Sequence, residues 1–212
     1  MAAPDTRIRI VDQGLDLISR SGLAGVTLGG LAAEVGMSKS GLFAHFKSKD
    51  AVQIALLDRM AEVANRVVVA PAMAAPAGLA RLRALVGNWI GWSDRAGLSG
   101  GCPVAAALFE LDDLDGAVRA KVELMEGNWR GLLRGLVGEA VGRGEFRADV
   151  DADQFVFELC GVYLTHHASH RFLRDPQADG RARIAFEALI VRAQPTPQEW
   201  ATAPDQTPGE TP

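Results

Sequence analysis

The chain is short of several things, and each shortage excludes a class of protein. Only two cysteines, Cys102 and Cys160, occur in 212 residues, so no disulfide framework is available and a reducing compartment suits it. Val67 to Ala80 is a charge-free run of fourteen residues that holds Pro71 and Pro76, too short and too broken to span a bilayer. The opening MAAPDTRIRIV lacks the apolar stretch of a secretory signal. A cytoplasmic protein without a membrane partner is therefore expected. No nucleophile elbow, phosphate-binding glycine loop or HExxH spacing appears, so nothing points to an enzyme or to a cofactor. Period-2 alternation is absent, which removes strands from the expectation and leaves an all-α fold.

Positive charge is also scarce. The net charge is −4, against broad affinity for nucleic acid. Its distribution is uneven: residues 1–50 carry six cations and five anions, leaving −5 on the rest. A basic spot forms only around Lys39, His45, Lys47 and Lys49.

What is present is helical periodicity. In residues 7–21, Ile8, Val11, Leu15 and Ile18 fall on one stripe, and Gly22 follows as a helix stop. Thr27 can cap a short helix over LGGLAAEV, which Gly36 ends. Ser38 can cap another through about Phe46, and Ser48 a long one from Asp50. Two short helices joined by a turn of about three residues, glycine among them, make a helix-turn-helix pattern. In the second, Leu42 and Phe46 at i, i+4 should face inward, with Lys39, Ser40, Phe43 and Ala44 outward. An outward phenylalanine suggests a partner, and Gly41 leaves room for one to come close.

The stretch TLGGLAAEVGMSKSGLFAHFKSKDAV resembles the DNA-binding region of tetracycline-repressor (TetR) family transcriptional regulators. It keeps their threonine, the Leu-Ala pair, a Gly-x-Ser-x-x-x-Leu-aromatic-x-His-Phe run and a Ser-Lys-acidic opening of the next helix. The likeness covers roughly residues 8–55. It implies a ligand-responsive, homodimeric regulator, most simply a repressor, that binds a pseudo-palindromic double-stranded operator and leaves it when a small, mostly apolar effector binds. By that likeness Thr27, His45 and Lys49 reach phosphates, Ser38, Lys39, Ser40 and Gly41 open the recognition helix against DNA, and Phe43, where the family usually has tyrosine, lies against sugar or a thymine methyl.

The remainder, residues 50–193, reads as a larger helical effector-binding and dimerisation domain after a DNA-binding domain over 1–49. Expected helices run over about 78–95, from Pro103, from Ala117 to Arg143, from Asp151 or Asp153 to Leu173, and over about 181–193, with PAMAAPA at 71–77 breaking the fourth helix. The proline-rich 194–212 reads as a disordered tail. Aromatics cluster in this part. Trp89 and Trp92, at i, i+3, form one wall of an expected pocket to which Phe109, Trp129, Tyr163, His166 and His167 also contribute. In the last two helices Ile184, Ala188 and Val191 form one stripe, and Phe186, Leu189, Ile190 and Ala193 another. Helices apolar on more than one side must bury more than one face, and the resemblance implies a four-helix dimer interface there.

His166 and His170 at i, i+4 suit a metal ion, but the sequence pins no third ligand, so no metal is assigned. Cys102 can cap or line the helix that begins at Pro103. An all-α ligand-binding or scaffold dimer without specific DNA binding is the alternative reading.

Overall fold

The computed structural model describes residues 6–196. The expected tail falls outside them from residue 197 on. Among the described residues the chain is helical throughout: α1 (Thr6–Ser21), α2 (Leu28–Glu34), α3 (Lys39–His45), α4 (Lys49–Ala64), a π turn (Asn65–Val69), α5 (Ala70–Met73), α6 (Leu79–Trp89), α7 (Trp92–Arg95), α8 (Pro103–Glu110), α9 (Ala117–Gly142), α10 (Ala152–Arg171) and α11 (Ala178–Ala193).

The first three helices form a small cluster. Ile10, Val11, Leu15 and Ile18 of α1 are buried with Leu31 of α2 and Leu42 of α3. Ile8, expected on that stripe, points outward instead, because the buried arc is centred one position round, on Ile10 and Gly14. α4 packs across α1 and continues into the larger domain. Its Gln53 Nε2 donates to the Leu23 carbonyl (2.6 Å) inside the core, which fixes the α1–α2 connection on α4.

The break expected over 71–77 falls within that stretch, after Met73, with Pro71 itself held inside the rod. A proline lacks the N–H that would bond the carbonyl four residues back, and its ring crowds that carbonyl. The wider π turn over Asn65–Val69 relieves the crowding and α5 carries on to Met73. The rod ends before Pro76. Conversely, the helix expected over 78–95 is two helices. Ile90 is extended and Gly91 adopts φ +71°, so the chain turns sharply. Arg95 satisfies carbonyls left open there, donating to Ile90 O (3.1 Å) and to Asn88 O. The final helix starts earlier than expected, at Ala178, and packs along α10.

Candidate nucleic-acid interface and internal cavity

The α2–α3 corner is built by local hydrogen bonds. Thr27 Oγ1 accepts from the Gly30 N–H (2.9 Å), capping α2. At its other end, Gly36 takes φ +65°. Its N–H donates to Ala33 O (3.2 Å) while the Met37 N–H donates to Ala32 O (2.8 Å). That bond pair is a Schellman stop, and the left-handed position suits glycine because no Cβ is there to clash. Ser38 then caps α3 through the Gly41 N–H (3.0 Å), and Ser48 caps α4 through Ala51 (3.1 Å).

These caps set the orientation of α3. Leu42 and Phe46 are fully buried, whereas Lys39, Ser40 and Ala44 are exposed and Phe43 is 41% exposed. Arg7 of α1 lies over the Phe46 ring, 4.3 Å from its centre, and donates to the His45 carbonyl (2.8 Å), holding the far end of α3. Thr27 is exposed, and its hydroxyl hydrogen is not used by the cap. Ser38 and Ser40 hydroxyls lie 3.1 Å apart. Gly41 is half-buried, with Ser38 Oγ 3.2 Å from where its Cβ would be. Lys49 is exposed, its Nζ donating to Ala24 O (3.3 Å), and His45 is half-buried.

Inside the larger domain lies a cavity of about 340 Å³, walled by α4 and its π turn, α6, α7, α8, α9 and α10. Four of the aromatics expected there are present: Trp89, Trp92, Trp129 and Tyr163. Trp89 and Trp92 reach it from opposite sides of the Ile90–Gly91 break, not from one helical face. Trp89 stacks on Tyr163 (3.9 Å, 13°) and meets Trp129 at a steep angle (4.8 Å, 64°). The Trp92 indole donates to the Tyr163 hydroxyl (2.9 Å).

Three expected lining residues are elsewhere. Phe109 is 65% exposed: α8 turns Val104, Ala105 and Leu108 to the cavity, which carries the next residue round to solvent. His166 is buried toward α11, with Nε2 2.7 Å from Asp179 Oδ1. His167 sits against Gly101 and Arg171, and burial, followed by the Arg171 charge and the neighbouring histidines, lowers its pKa. Periodicity missed Met60, Asn65, Val68 and Met125, because it marks a buried face without saying whether a neighbour or a space lies opposite. Both cysteines line the cavity. Burial raises the Cys102 thiol and pushes Cys160 to about 11, so both are neutral thiols near pH 7. Among the described residues no three His, Cys, Asp or Glu side chains gather as metal ligands.

Two cavity-wall elements are tied directly to the helix-turn-helix region. α4 is one, since its first half packs on α1 and its second half lines the cavity. The other is α8. On its N-terminal side, the Ser99 N–H and hydroxyl both donate to Asp16 Oδ1 (2.7 Å each), the Gly100 N–H to Ser19 Oγ (3.0 Å), and the Gly101 N–H to Ser19 O (3.0 Å). Burial opposes ionisation of Asp16, but the Ser99 donors and Arg20 outweigh it and hold the carboxyl below its usual range. At the other end, Glu110 accepts from the Ala24 N–H (2.9 Å).

Residues 10–56 match the model for bacterial regulatory proteins of the tetR family. Residues 78–186, just over half of the chain, match the tetracyclin repressor-like C-terminal domain. The chain belongs to the TetR family. Among solved structures it is similar to a TetR-family transcriptional regulator from Cytophaga hutchinsonii, at 23% identity over 90% of this chain and 96% of that one, with a TM-score of 0.80. A TetR regulator from Chloroflexus aurantiacus gives 27% identity, 88% and 92% coverage and 0.77. AibR, solved in complex with isovaleryl coenzyme A and operator DNA, gives 22%, 86% and 98%, and 0.67. No curated protein matches. The N-terminal family match ends inside α4, at residue 56, so this helix runs from the DNA-binding region into the rest of the molecule. Among the described residues no helix is long and apolar enough to cross a membrane.

Proposed function

We propose that this chain is a ligand-responsive transcriptional regulator, a homodimeric repressor of the cytoplasm, whose hold on a pseudo-palindromic operator weakens when a small, mostly apolar molecule fills the cavity. It is a binding protein with no catalytic role. The observation that carries this reading is the double attachment of the cavity to the helix-turn-helix through α4 and α8. A ligand that pushes α8 outward or rotates α4 acts on Asp16, Ser19 and Ala24 through hydrogen bonds already in place. Release then requires that the ligand bind the released arrangement more tightly than the DNA-bound one.

Dimerisation rests on a surface argument. α10 and α11 bury their inner faces against the core, yet Ile184 and Val191 on α11 remain 73% and 67% exposed and Phe157 on α10 is 68% exposed. A second copy covering this face would bring two α3 helices to successive major grooves, about 34 Å apart. On the DNA, Lys39, Ser40 and Phe43 face the groove from α3, Ser38 and Gly41 let the backbone approach, and Thr27, His45 and Lys49 hold phosphates. AibR, with its bound isovaleryl coenzyme A and operator DNA, is a precedent of the same fold for one protein holding both partners.

Footprinting on the DNA flanking the gene tests this. Wild-type protein is expected to protect two half-sites about one helical turn apart. Lys39→Ala should weaken protection about tenfold while sedimentation still reports a dimer. Equal protection by wild type and Lys39→Ala would refute the assignment of α3 as the reading helix.

A further inference from the structure

We propose that the cavity takes a compact, electrically neutral ligand, an apolar body bearing one carbonyl-type acceptor, and that the Trp129 indole N–H is the group that reads that acceptor. The proposal rests on the cavity being the effector site and adds the chemistry of what enters it. Ketones, esters, lactones and quinones fit; free carboxylic acids, quaternary cations and coenzyme A esters do not.

Of the polar groups on the wall, the Asn65 and Asn128 amides serve as donor or acceptor alike, so the selection rests on the others. The Trp92 N–H is used by the Tyr163 hydroxyl (2.9 Å). Glu126 is engaged by Arg130, Oε1 to Nε 2.8 Å. Trp129 Nε1 alone among the cavity's indole nitrogens is buried with no protein partner. A buried donor left unpaired costs free energy that a ligand acceptor restores, whereas a hydrocarbon leaves the cost in place and a cation adds to it.

Charge is disfavoured from both sides. An anionic ligand would meet Glu126 on the wall, and the Arg130 charge is already paired with it. A cation would need open aromatic faces, but Trp89 has Tyr163 stacked on it and Trp129 close against it, so these rings cover one another instead of forming an open box. Size adds a limit. A volume of about 340 Å³ lies at the low end of ligand pockets, roughly 300–1,000 Å³, so a coenzyme A ester would leave its nucleotide outside.

Calorimetry of the full-length protein with matched probes tests the proposal: 2-acetylnaphthalene, 2-ethylnaphthalene, 2-naphthoate, a naphthylmethyl-trimethylammonium salt and isovaleryl coenzyme A. The ketone is expected to bind about tenfold more tightly than the ethyl compound, and the three charged probes no better than the ethyl compound. In an indole ¹H–¹⁵N spectrum the Trp129 signal should move downfield with the ketone and not with the hydrocarbon. Trp129→Phe, which keeps a ring and removes the donor, should level the two affinities without weakening the ethyl compound. The proposal is overturned if a charged probe binds tightest, if ketone and hydrocarbon bind alike, if none binds, or if the ketone preference survives Trp129→Phe. Should that variant not fold, the wild-type affinity ratio and the indole shift decide. Operator binding without ligand is measured on the same samples. Intact operator binding with failed probes rejects the ligand class alone, and probe binding without operator binding rejects the regulator reading alone.

Discussion

The reading head and the cavity are built on opposite plans. The α2–α3 corner spans a short run of chain, and its caps join residues three to five apart: Thr27 to Gly30, Met37 to Ala32, Ser38 to Gly41. Its working face is polar and exposed, apart from Phe43. The cavity brings together Met60, Trp89, Leu108, Trp129 and Tyr163, which are scattered over about a hundred residues, and its wall is mostly apolar. A locally capped, exposed element keeps its shape with little help and is free to meet DNA. A space between six elements exists only while all of them hold their places, so any of them can report its filling. The proposed coupling belongs to the second plan: α8 touches the cavity with Leu108 and the α1–α2 connection with Glu110.

That contrast can be broken first at the proposed subunit interface. Ile184→Asp places a charge on the exposed stripe of α11 and should convert the dimer to monomer in sedimentation. Operator affinity should then fall by at least about a hundredfold, because half the phosphate and base contacts are lost. The ligand should still bind, since Ile184 is not on the cavity wall.

The α8 attachment gives the next effect. A Cβ on Gly100 would sit 1.8 Å from the Ser19 carbonyl oxygen, so Gly100→Ala must lift the 99–101 segment off α1. We expect ligand and operator each to bind, with the ligand's effect on operator affinity reduced about tenfold, within the usual 1–3 kcal/mol range of coupling energies. Undiminished release would assign the coupling to α4 alone.

Ser38→Ala sharpens the local side of the contrast. Loss of one N-cap should cost about 1 kcal/mol in denaturant unfolding, with operator affinity falling as α3 frays. The smallest effect concerns the cavity thiols. Because burial holds Cys160 at about 11, iodoacetamide at pH 8 should label it slowly in the native protein. Labelling should quicken as pH rises from about 9 toward 11. The same shift makes the thiol's contribution to stability complete below the unfolded pKa near 9 and lost as pH climbs through the folded value. Rapid labelling at pH 8 would contradict the buried placement.

Local construction is also why the reading head was legible. Ser38 and Ser48 announce helix starts by their position, and the i, i+4 pair Leu42 and Phe46 tells inside from outside without reference to the rest of the chain. The cavity was legible only through its tryptophans and Tyr163. Phe109, His166 and His167 look the same in sequence as residues that line a pocket, and only the tertiary arrangement turns them to solvent, to Asp179 and to Gly101. The break at Gly91 and the exact end of the rod after Pro71 were hidden for a related reason. A glycine inside an apolar period leaves open whether the helix bends there, and a proline inside one leaves open whether a π turn will absorb it. In each case the deciding contacts come from elsewhere: Arg95 on the carbonyls of Asn88 and Ile90, and Asn88 on the Val68 carbonyl within the π turn.

The measurement that tests the central claim most directly is fluorescence anisotropy of the purified protein on the DNA flanking its own gene, titrated against unrelated competitor at several salt concentrations. We expect two protomers per site, a dissociation constant of about 10 nM or tighter at physiological salt, and a steep loss of affinity as salt rises. Binding that unrelated DNA competes away equally at every salt concentration, on this and other promoter fragments of the genome, would contradict it.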